Sequence, residues 1–418
     1  MRALAIVDGE HYAPVVRDAL AELPYDFVAA VLVGGQEKLR GGDEYGVPLV
    51  PDVESGIASV RPDVVVDLSD EPVLGPVARF ALASRVLARG VPYVGADFRL
   101  DPPALEEFPL PSIAVVGTGK RVGKTAVTGH LARLLAREKR VVVVAMGRGG
   151  PPEPEVVTVQ PTVEALLELS RSGRHAASDH LETAALVGVT TVGCRRCGGG
   201  LAGGVATSNV VEGARIAIEL DPELVVFDGS GAALPPVATD RTVAVVGGHQ
   251  DPGVAAGYLN AYRLLRADLV VLTMAEVSSG WGGVGDAVKG VVRHGVEVVP
   301  ARLRPRPLVD VSGRSIAYFS AAPQDAHERL RAELESASRA TVVHVSGNLA
   351  NRAALGDELA RIDADVFVVE LKAAAIDVVA EVAHARGIQV VLAANDVVAI
   401  DGDGELDERL LEVAKFQE

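Results

Sequence analysis

The sequence has 418 residues, enough for two or three domains, and 49% of them are apolar. Its formal net charge of -16 argues against a nucleic-acid-binding protein, which usually presents a basic face. The two cysteines, Cys194 and Cys197, exclude a disulfide scaffold and favour a reducing cytoplasm. The N-terminus reaches Asp8 before a signal-type apolar core could form, and no long uncharged apolar run predicts a membrane span.

Short apolar runs alternate with longer amphipathic segments along almost the whole chain. The runs include ALAIV, SIAVVG, VVVVAM, LVVFDG, DLVVLT and DVFVVEL. Continuous apolar strands separated by helices are typical of parallel sheets that are covered on both faces. The sequence therefore predicts an α/β fold with several domains.

Two Pro-rich stretches mark the expected domain boundaries. They are DPPALEEFPLP, from Asp101 to Pro111, and PARLRPRPLVD, from Pro300 to Asp310. We expect an N-terminal α/β domain at 1–105, a central nucleotide-binding domain at 106–305 and a C-terminal α/β domain at 306–418.

The motif VDGEHY ends the first predicted strand. Asp8 and His11 lie at the carboxyl end of that strand, where ligands bind in parallel sheets, and are candidates for binding a substrate. Capping of the following helix by Asp8 or Glu10 explains the same pattern equally well.

The stretch GTGKRVGKT, from Gly117 to Thr125, lies between a predicted strand and a predicted helix, as a phosphate-binding P-loop does. Glycines allow the loop to turn its N–H groups toward phosphate oxygens, and the helix N-terminus adds positive charge. Lys124 would reach the β- and γ-phosphates of ATP, and Thr125 would hold Mg²⁺. The expected ATP-binding residues are Gly117, Thr118, Gly119, Lys120, Arg121, Val122, Gly123, Lys124, Thr125 and Ala126.

The loop departs from the usual G-x-x-x-x-G-K-[ST] spacing, because position 118 is Thr. It is similar to the G-T-x-x-x-V-G-K-T loop of dethiobiotin synthetase, and this places the central domain among the ATPases related to that enzyme and to MinD. The resemblance implies a second loop cation that assists the γ-phosphate. Lys120 and Arg121 are candidates, although a solvated loop charge explains Lys120 as well.

Polar residues follow the neighbouring predicted strands. Asp228 ends LVVFD and is a candidate second Mg²⁺ ligand, although a turn-forming Asp-Gly fits the same pattern. Arg148 follows VVVVAMG and would clamp a phosphate. Thr273 and Glu276 are weaker candidates for contacting the base or ribose.

The segment GCRRCGGGLAGG, from Gly193 to Gly204, combines two arginines with exposed glycine backbone. It favours a highly anionic ligand. The expected substrate-binding residues here are Arg195, Arg196, Gly198, Gly199 and Gly200. A rival interpretation uses Cys194 and Cys197 of two subunits to bridge an iron–sulfur cluster, as in some MinD-related ATPases.

Four motifs in this order, VDGEHY, VGGQEKL, GTGKRVGKT and GCRRCGGGLAGG, resemble those of the cyclic 2,3-diphosphoglycerate synthetases. The resemblance implies a ligase that uses ATP and Mg²⁺ to close 2,3-bisphosphoglycerate into a cyclic phosphoanhydride. It gives catalytic roles to Lys124, Lys120, Arg148 and Asp228. A different acid-activating, ATP-dependent ligase and a MinD-type ATPase remain alternatives.

The central P-loop NTPase sheet would then be flanked by smaller N- and C-terminal α/β domains. Relatives of this loop type often form dimers, so we expect a cytoplasmic homodimer that binds neither nucleic acid nor membranes.

Overall fold

The computed structural model describes residues 1–34, 45–276, 281–400 and 405–416. Most of the motif VGGQEKL, from residue 35 onward, lies outside this part of the chain. Within it, no helix is both long and apolar enough to cross a membrane.

The N-terminal unit is a sheet of six strands in the order β3-β2-β1-β4-β5-β6, in which only the β5–β6 pair is antiparallel. Its strands are β1 (Arg2–Asp8), β2 (Asp26–Val33), β3 (Leu49–Val50), β4 (Val64–Asp67), β5 (Tyr93–Val94) and β6 (Arg99–Leu100). Its helices are α1 (Ala13–Glu22), α2 (Val53–Val60) and α3 (Pro76–Leu87).

The central unit is built on a largely parallel sheet, and its strands β7, β8, β12, β13 and β14 are buried almost throughout. Its strands are β7 (Ser112–Gly117), β8 (Val141–Gly147), β9 (Glu155–Val157), β10 (Thr190–Cys197), β11 (Thr207–Ser208), β12 (Leu224–Asp228), β13 (Arg241–Gly247) and β14 (Leu269–Thr273). Its helices are α4 (Lys124–Leu135), α5 (Val163–Arg171), α6 (Asp179–Val187), α7 (Val210–Glu219), α8 (Pro252–Ala255), α9 (Asn260–Arg266) and α10 (Trp281–Lys289).

The C-terminal unit continues the same sheet. Its strands are β15 (Glu297–Pro307), β16 (Ser315–Phe319), β17 (Thr341–Ser346), β18 (Val366–Glu370) and β19 (Gln389–Ala399). Its helices are α11 (His327–Ser338), α12 (Arg352–Leu359), α13 (Glu381–Arg386) and α14 (Glu405–Val413). In the described chain the combined sheet has 13 strands, and the expected boundary between residues 305 and 306 falls inside β15.

Strands β15 and β19 are antiparallel, and their pairing reverses the strand direction between the two units. β14 ends beside Pro300 and β18 ends beside Ala393, which itself pairs with Pro307. The carboxyl ends of the central and C-terminal strands therefore point toward each other. At about 3.3 Å per residue, the β15–β19 ribbon separates these two edges by about 20 Å.

The N-terminal unit packs on α8 and α9 of the central unit through one shared apolar core. Leu82 and Val86 of α3 belong to the same buried cluster as Leu259 and Tyr262. The Ser84 hydroxyl adds a 3.0 Å hydrogen bond to the Tyr258 carbonyl oxygen. The predicted fold class, α/β with flanking domains around a parallel P-loop sheet, is confirmed.

Candidate active site

The loop between β7 and α4 has the backbone that a phosphate cradle requires. Arg121 (φ 62°) and Gly123 (φ 78°) both adopt the left-handed conformation, which turns the chain sharply into α4. A Cβ at Gly117 would lie 2.9 Å from the Gly231 carbonyl oxygen, so only glycine fits there. The loop is therefore packed directly against the turn after β12.

Side chains from β14, from α9 and from the turn after β13 hold this loop in place. The Thr118 hydroxyl donates to Gln250 Oε1 at 2.7 Å, and Asn260 Nδ2 donates to the Thr118 carbonyl at 3.0 Å. Thr273 is fully buried, and its hydroxyl donates to the Val122 carbonyl at 2.7 Å. The expected contact of Thr273 with a base or ribose is wrong, because its hydroxyl is used to secure the loop backbone.

Lys124 and Asp228 form the centre of the site. Lys124 Nζ donates to Asp228 Oδ1 at 2.5 Å, and the buried Thr128 hydroxyl donates to the same oxygen at 2.7 Å. The other oxygen, Asp228 Oδ2, is buried and has no hydrogen-bond partner among the described residues. Asp228 thus neutralises the P-loop lysine and keeps one oxygen available.

A second carboxylate, Asp179, completes this centre and was missed by the sequence reasoning. It begins α6, and its Oδ2 lies 3.0 Å from where a Cβ would sit on Gly147. Burial raises the pKa of Asp179, the positive charge of Lys124 opposes this shift, and the Asp228 carboxylate reinforces it. The only sequence signal was a Ser-Asp pair at a helix start, which is indistinguishable from a cap.

The remaining loop residues lie at the surface of the site. Lys120 and Arg121 are exposed at the tip of the loop, whereas Thr125 and Ala126 are partly buried at the start of α4. Thr125 and Ala126 line a cavity that the C-terminal unit closes from its other side. An exposed Lys120 fits both a phosphate contact and a solvated charge.

Arg148 and Arg196 converge beside the P-loop. The end nitrogens Nη2 of Arg148 and Arg196 lie 3.4 and 3.8 Å from the Cβ position of Gly231, whose carbonyl oxygen faces Gly117. Arg196 Nη2 also donates to the Ser230 carbonyl at 2.9 Å, and its Nε is buried without a partner in the described chain. Two guanidinium groups therefore meet next to the phosphate cradle.

Arg195 takes a different position from its neighbour, because adjacent residues of a strand face opposite sides. Its side chain is exposed, and its backbone N–H donates to Asn209 Oδ1 at 2.7 Å. The glycines that follow are also exposed, and Arg196 Nη1 donates to the Gly198 carbonyl at 2.9 Å. These exposed glycines are Gly198, Gly199 and Gly200.

The two cysteines do not form a pair of metal ligands. Cys194 is fully buried, and its Sγ lies 2.2 Å from the Cβ position of Gly213, a glycine on α7. Burial raises the pKa of the Cys194 thiol to about 12, whereas Cys197 is exposed. The iron–sulfur alternative is therefore wrong, because a thiol packed in an apolar core cannot reach a cluster that two subunits share.

Asp8 and His11 lie in the N-terminal sheet. Asp8 Oδ1 accepts from His11 Nδ1 at 2.7 Å, and Asp8 Oδ2 accepts from the Asp70 N–H at 2.9 Å. Burial alone would raise the pKa of Asp8, but these hydrogen bonds lower it below its ordinary value. One carboxylate oxygen thus organises the turn after β1 and the other the turn after β4. A substrate role for Asp8 and His11 stays a prediction.

The Glu276 side chain also makes a contact within the protein. Its carboxylate accepts from Arg329 of α11 at 3.1 Å and so ties the central unit to the C-terminal unit. Its expected role at the base or ribose is not supported by this geometry.

The oxygen atoms of Asp228 and Thr125 are suited to binding a magnesium ion. Asp228 Oδ2 is buried and unpaired among the described residues. Thr125 lies in the first turn of α4, the helix whose Thr128 donates to the other oxygen of the same carboxylate. Hydroxyl and carboxylate oxygens are the ligands that Mg²⁺ prefers.

The parallel sheet, the glycine-rich loop and the Lys124–Asp228 contact together define an α/β enzyme of the P-loop, nucleotide-dependent class. Three sequence models of cyclic 2,3-diphosphoglycerate synthetase match the chain: the N-terminal domain at residues 2–101, the P-loop domain at 112–292 and the C-terminal domain at 307–396. The chain belongs to the cyclic 2,3-diphosphoglycerate synthetase family.

Two relatives of this family agree with the assignment. The cyclic 2,3-diphosphoglycerate synthetase of Rubrobacter xylanophilus is 52% identical over 97% of this chain and 96% of its own length. That of Methanothermus fervidus is 40% identical, with coverage of 99% and 97%. A solved structure of a duf1611 family protein from Anabaena variabilis is 15% identical and covers 71% of this chain and 93% of its own, with a TM-score of 0.24.

The sequence prediction of the family, and with it of an ATP-dependent synthetase, is confirmed.

Proposed function

We propose that the chain uses ATP to close 2,3-bisphosphoglycerate into cyclic 2,3-diphosphoglycerate. A phosphoanhydride forms between the two substrate phosphates, and ADP and phosphate are released. The observation that carries this proposal is the convergence of Arg148 and Arg196 on Gly231, directly beside the P-loop that contains Lys124.

The charge of the substrate explains why this arrangement suits it. Two phosphates and a carboxylate give about four to five negative charges near neutral pH. A protein with a net charge of -16 repels such a ligand unless cations are concentrated locally. Guanidinium groups bind phosphate through paired donors, and Arg148 and Arg196 provide two such groups at one place.

The reaction then needs two displacements. An oxygen of one substrate phosphate attacks the γ-phosphorus of ATP, and the bond from that phosphorus to ADP breaks. The first substrate phosphate now carries the transferred phosphoryl group. An oxygen of the second substrate phosphate then attacks the phosphorus of the first substrate phosphate. The new anhydride bond closes the ring, and the transferred phosphate leaves with the electron pair of the broken bond.

The residues of the chain act mainly by position and charge, because both nucleophiles are already anionic. Lys124 and the loop N–H groups stabilise the negative charge on the transferring phosphoryl group. Lys120 and Arg121 at the loop tip supply further positive charge. Arg148, Arg196 and the N–H groups of the glycine loop hold the acceptor, and Arg195 contributes charge from the surface.

When bound, Mg²⁺ would neutralise the β- and γ-phosphate oxygens and so favour departure of ADP. Thr125 and Asp228 are the residues that would hold it.

A homodimer in the cytoplasm, and the lack of nucleic-acid or membrane partners, stay predictions drawn from the loop type and composition. They do not enter the mechanism.

A coupled assay of ADP release tests the choice of acceptor. With ATP and Mg²⁺, we expect continued ADP release and cyclic product to require 2,3-bisphosphoglycerate. With 2-phosphoglycerate or 3-phosphoglycerate we expect little turnover, because neither carries the second phosphate that closes the ring and expels the transferred phosphate. Equal turnover with either monophosphate would instead favour a different acid-activating ligase.

A further inference from the structure

The turn after β18 presents a lysine that the proposed chemistry has not used. Lys372 follows the strand by two residues, and its N–H donates to the Glu370 carbonyl at 2.8 Å. The next residue, Ala373, has φ 45°, in the left-handed region that side chains with a Cβ disfavour. Strained backbone of this kind persists where the surrounding structure enforces it, often at functional sites.

The topology places the turn after β18 on the side of the C-terminal unit that faces the P-loop. Because β15 and β19 are antiparallel, the carboxyl end of β18 points toward the carboxyl edge of the central sheet. Lys372 and Thr125 line the same cavity, together with Glu182 and Asn395. This cavity has a volume of about 30 Å³, which is enough for water but too small for the substrate. A phosphate would therefore contact Lys372 at the mouth of the cavity.

The ammonium group of Lys372 is charged and is not locked in place. Its Nζ lies 3.9 Å from Glu182 Oε1, beyond hydrogen-bond distance, and its side chain is 41% exposed. The Glu370 carboxylate, followed by Glu182 and Asp179, raises the pKa of Lys372, although burial opposes this.

The charges around Asp179 connect this lysine with the rest of the site. Lys124, Asp228, Arg148 and Lys372 all act on the Asp179 carboxylate, in that order of strength. The positive charge of Arg121 at the loop tip lowers the pKa of Lys372. Lys372 thus approaches the phosphate site from the C-terminal unit, while the other cations belong to the central unit.

We propose that Lys372 is a further substrate-binding residue, whose ammonium group contacts a phosphate of the bisphosphoglycerate and so makes the C-terminal unit part of the active site. This inference rests on the proposed function. In the free protein the ammonium group lies beside the Glu182 side chain, 3.9 Å from Oε1, and it moves to the phosphate when the substrate binds.

The test compares Lys372→Met and Lys372→Arg with a control, Lys415→Met, which removes an exposed lysine paired with Glu412. Calorimetry gives the Kd for 2,3-bisphosphoglycerate without ATP, and steady-state assays give kcat and both KM values. We expect Lys372→Met to weaken bisphosphoglycerate binding at least tenfold while the KM for ATP changes less than threefold. Lys372→Arg should recover part of the affinity, and Lys415→Met should match the wild type.

The possible results distinguish a failure of the role given to Lys372 from a failure of the proposed function. If the wild type forms the cyclic product and Lys372→Met keeps the wild-type Kd, the inference is wrong and the proposed function stands. An equal loss of ATP and bisphosphoglycerate affinity would also overturn it, since that indicates a structural role. A wild type that neither binds nor converts bisphosphoglycerate would refute both.

If Lys372→Met does not fold, the double variant Lys372→Met, Glu182→Gln also replaces the buried carboxyl group that has lost its neighbouring lysine. It is measured in the same way, with Glu182→Gln alone as its reference.

Discussion

Lys124 Nζ donates to the buried carboxylate of Asp228 at 2.5 Å, so the P-loop lysine is paired within the protein before any phosphate reaches it. The pair also joins α4 to the end of β12. Its loss should therefore affect both catalysis and stability, and these two effects can be separated.

Replacing the lysine, Lys124→Ala, should lower kcat at least about 10²- to 10³-fold, the usual cost of losing one preorganised group that stabilises transition-state charge. It should also lower the free energy of unfolding by about 3 kcal/mol, because Asp228 becomes a buried charge without its cation. Turnover assays and denaturant unfolding measure the two effects.

The double variant Lys124→Ala, Asp228→Asn is the matched control. It removes the unpaired charge, so it should recover most of the lost stability but none of the activity. Recovery of turnover would contradict the role given to Lys124.

Arg196→Ala should raise the KM for 2,3-bisphosphoglycerate about 10- to 100-fold, because a charge-assisted hydrogen bond contributes about 1.5–3 kcal/mol. Arg195→Ala is the matched comparison and should raise KM much less, since its side chain is exposed and does not meet Arg148. Steady-state kinetics with saturating ATP measure both. A larger increase in KM for Arg195→Ala than for Arg196→Ala would show that Arg195, and not Arg196, is the main substrate-binding arginine.

The sequence allowed the strand–loop–helix unit at Gly117 to Thr125 to be predicted, because local spacing and strand burial determine it. The contact of Asp228 with this loop could also be predicted, since parallel strands end at one edge of a sheet. Thr273 was misassigned because strand position does not show whether a hydroxyl faces the ligand or the loop backbone.

Asp179, Glu182 and Lys372 could not be predicted. Asp179 and Glu182 lie on α6, and nothing in their local sequence distinguishes them from ordinary helix residues. The position of Lys372 depends on the antiparallel β15–β19 pair, which reverses the C-terminal strands and brings Lys372 to the same cavity as Glu182, almost 200 positions earlier in the chain. No local motif encodes such a pairing. The boundary expected between residues 305 and 306 stays a prediction. It lies within β15, where Pro305 and Pro307 pair with β19 alone among the described strands.

Glu182 should make stability depend on pH. Burial raises its pKa from 4.5 to about 8, with Lys372 opposing the shift. Because the folded protein holds the proton more tightly, this contribution to the free energy of unfolding is fully present below about pH 4.5 and is lost as the pH rises through about 8. Each pKa unit corresponds to about 1.4 kcal/mol.

Glu182→Gln removes this titration, so its free energy of unfolding should fall less between pH 5 and 8 than that of the wild type. Denaturant unfolding at several pH values measures the slopes, and Glu164→Gln, at an exposed position on α5, is the control. Identical slopes for the wild type and Glu182→Gln would show that Glu182 does not titrate in this range.

The cysteines should differ in reactivity. A thiol reagent should modify Cys197 rapidly in the native protein and Cys194 only after unfolding, because Cys194 is buried and burial raises its pKa to about 12. Counting thiols first without and then with denaturant should give one and then two per chain. Two fast thiols in the native state, or bound iron after anaerobic purification, would contradict the buried position of Cys194.

Phosphorus NMR of the purified protein with ATP, Mg²⁺ and 2,3-bisphosphoglycerate tests the central claim most directly. We expect the two phosphomonoester signals of the substrate to be replaced by coupled anhydride signals while ADP and phosphate appear in equal amounts. If ATP is consumed and the bisphosphoglycerate signals stay unchanged, the P-loop hydrolyses ATP without ring closure and the proposed function is wrong.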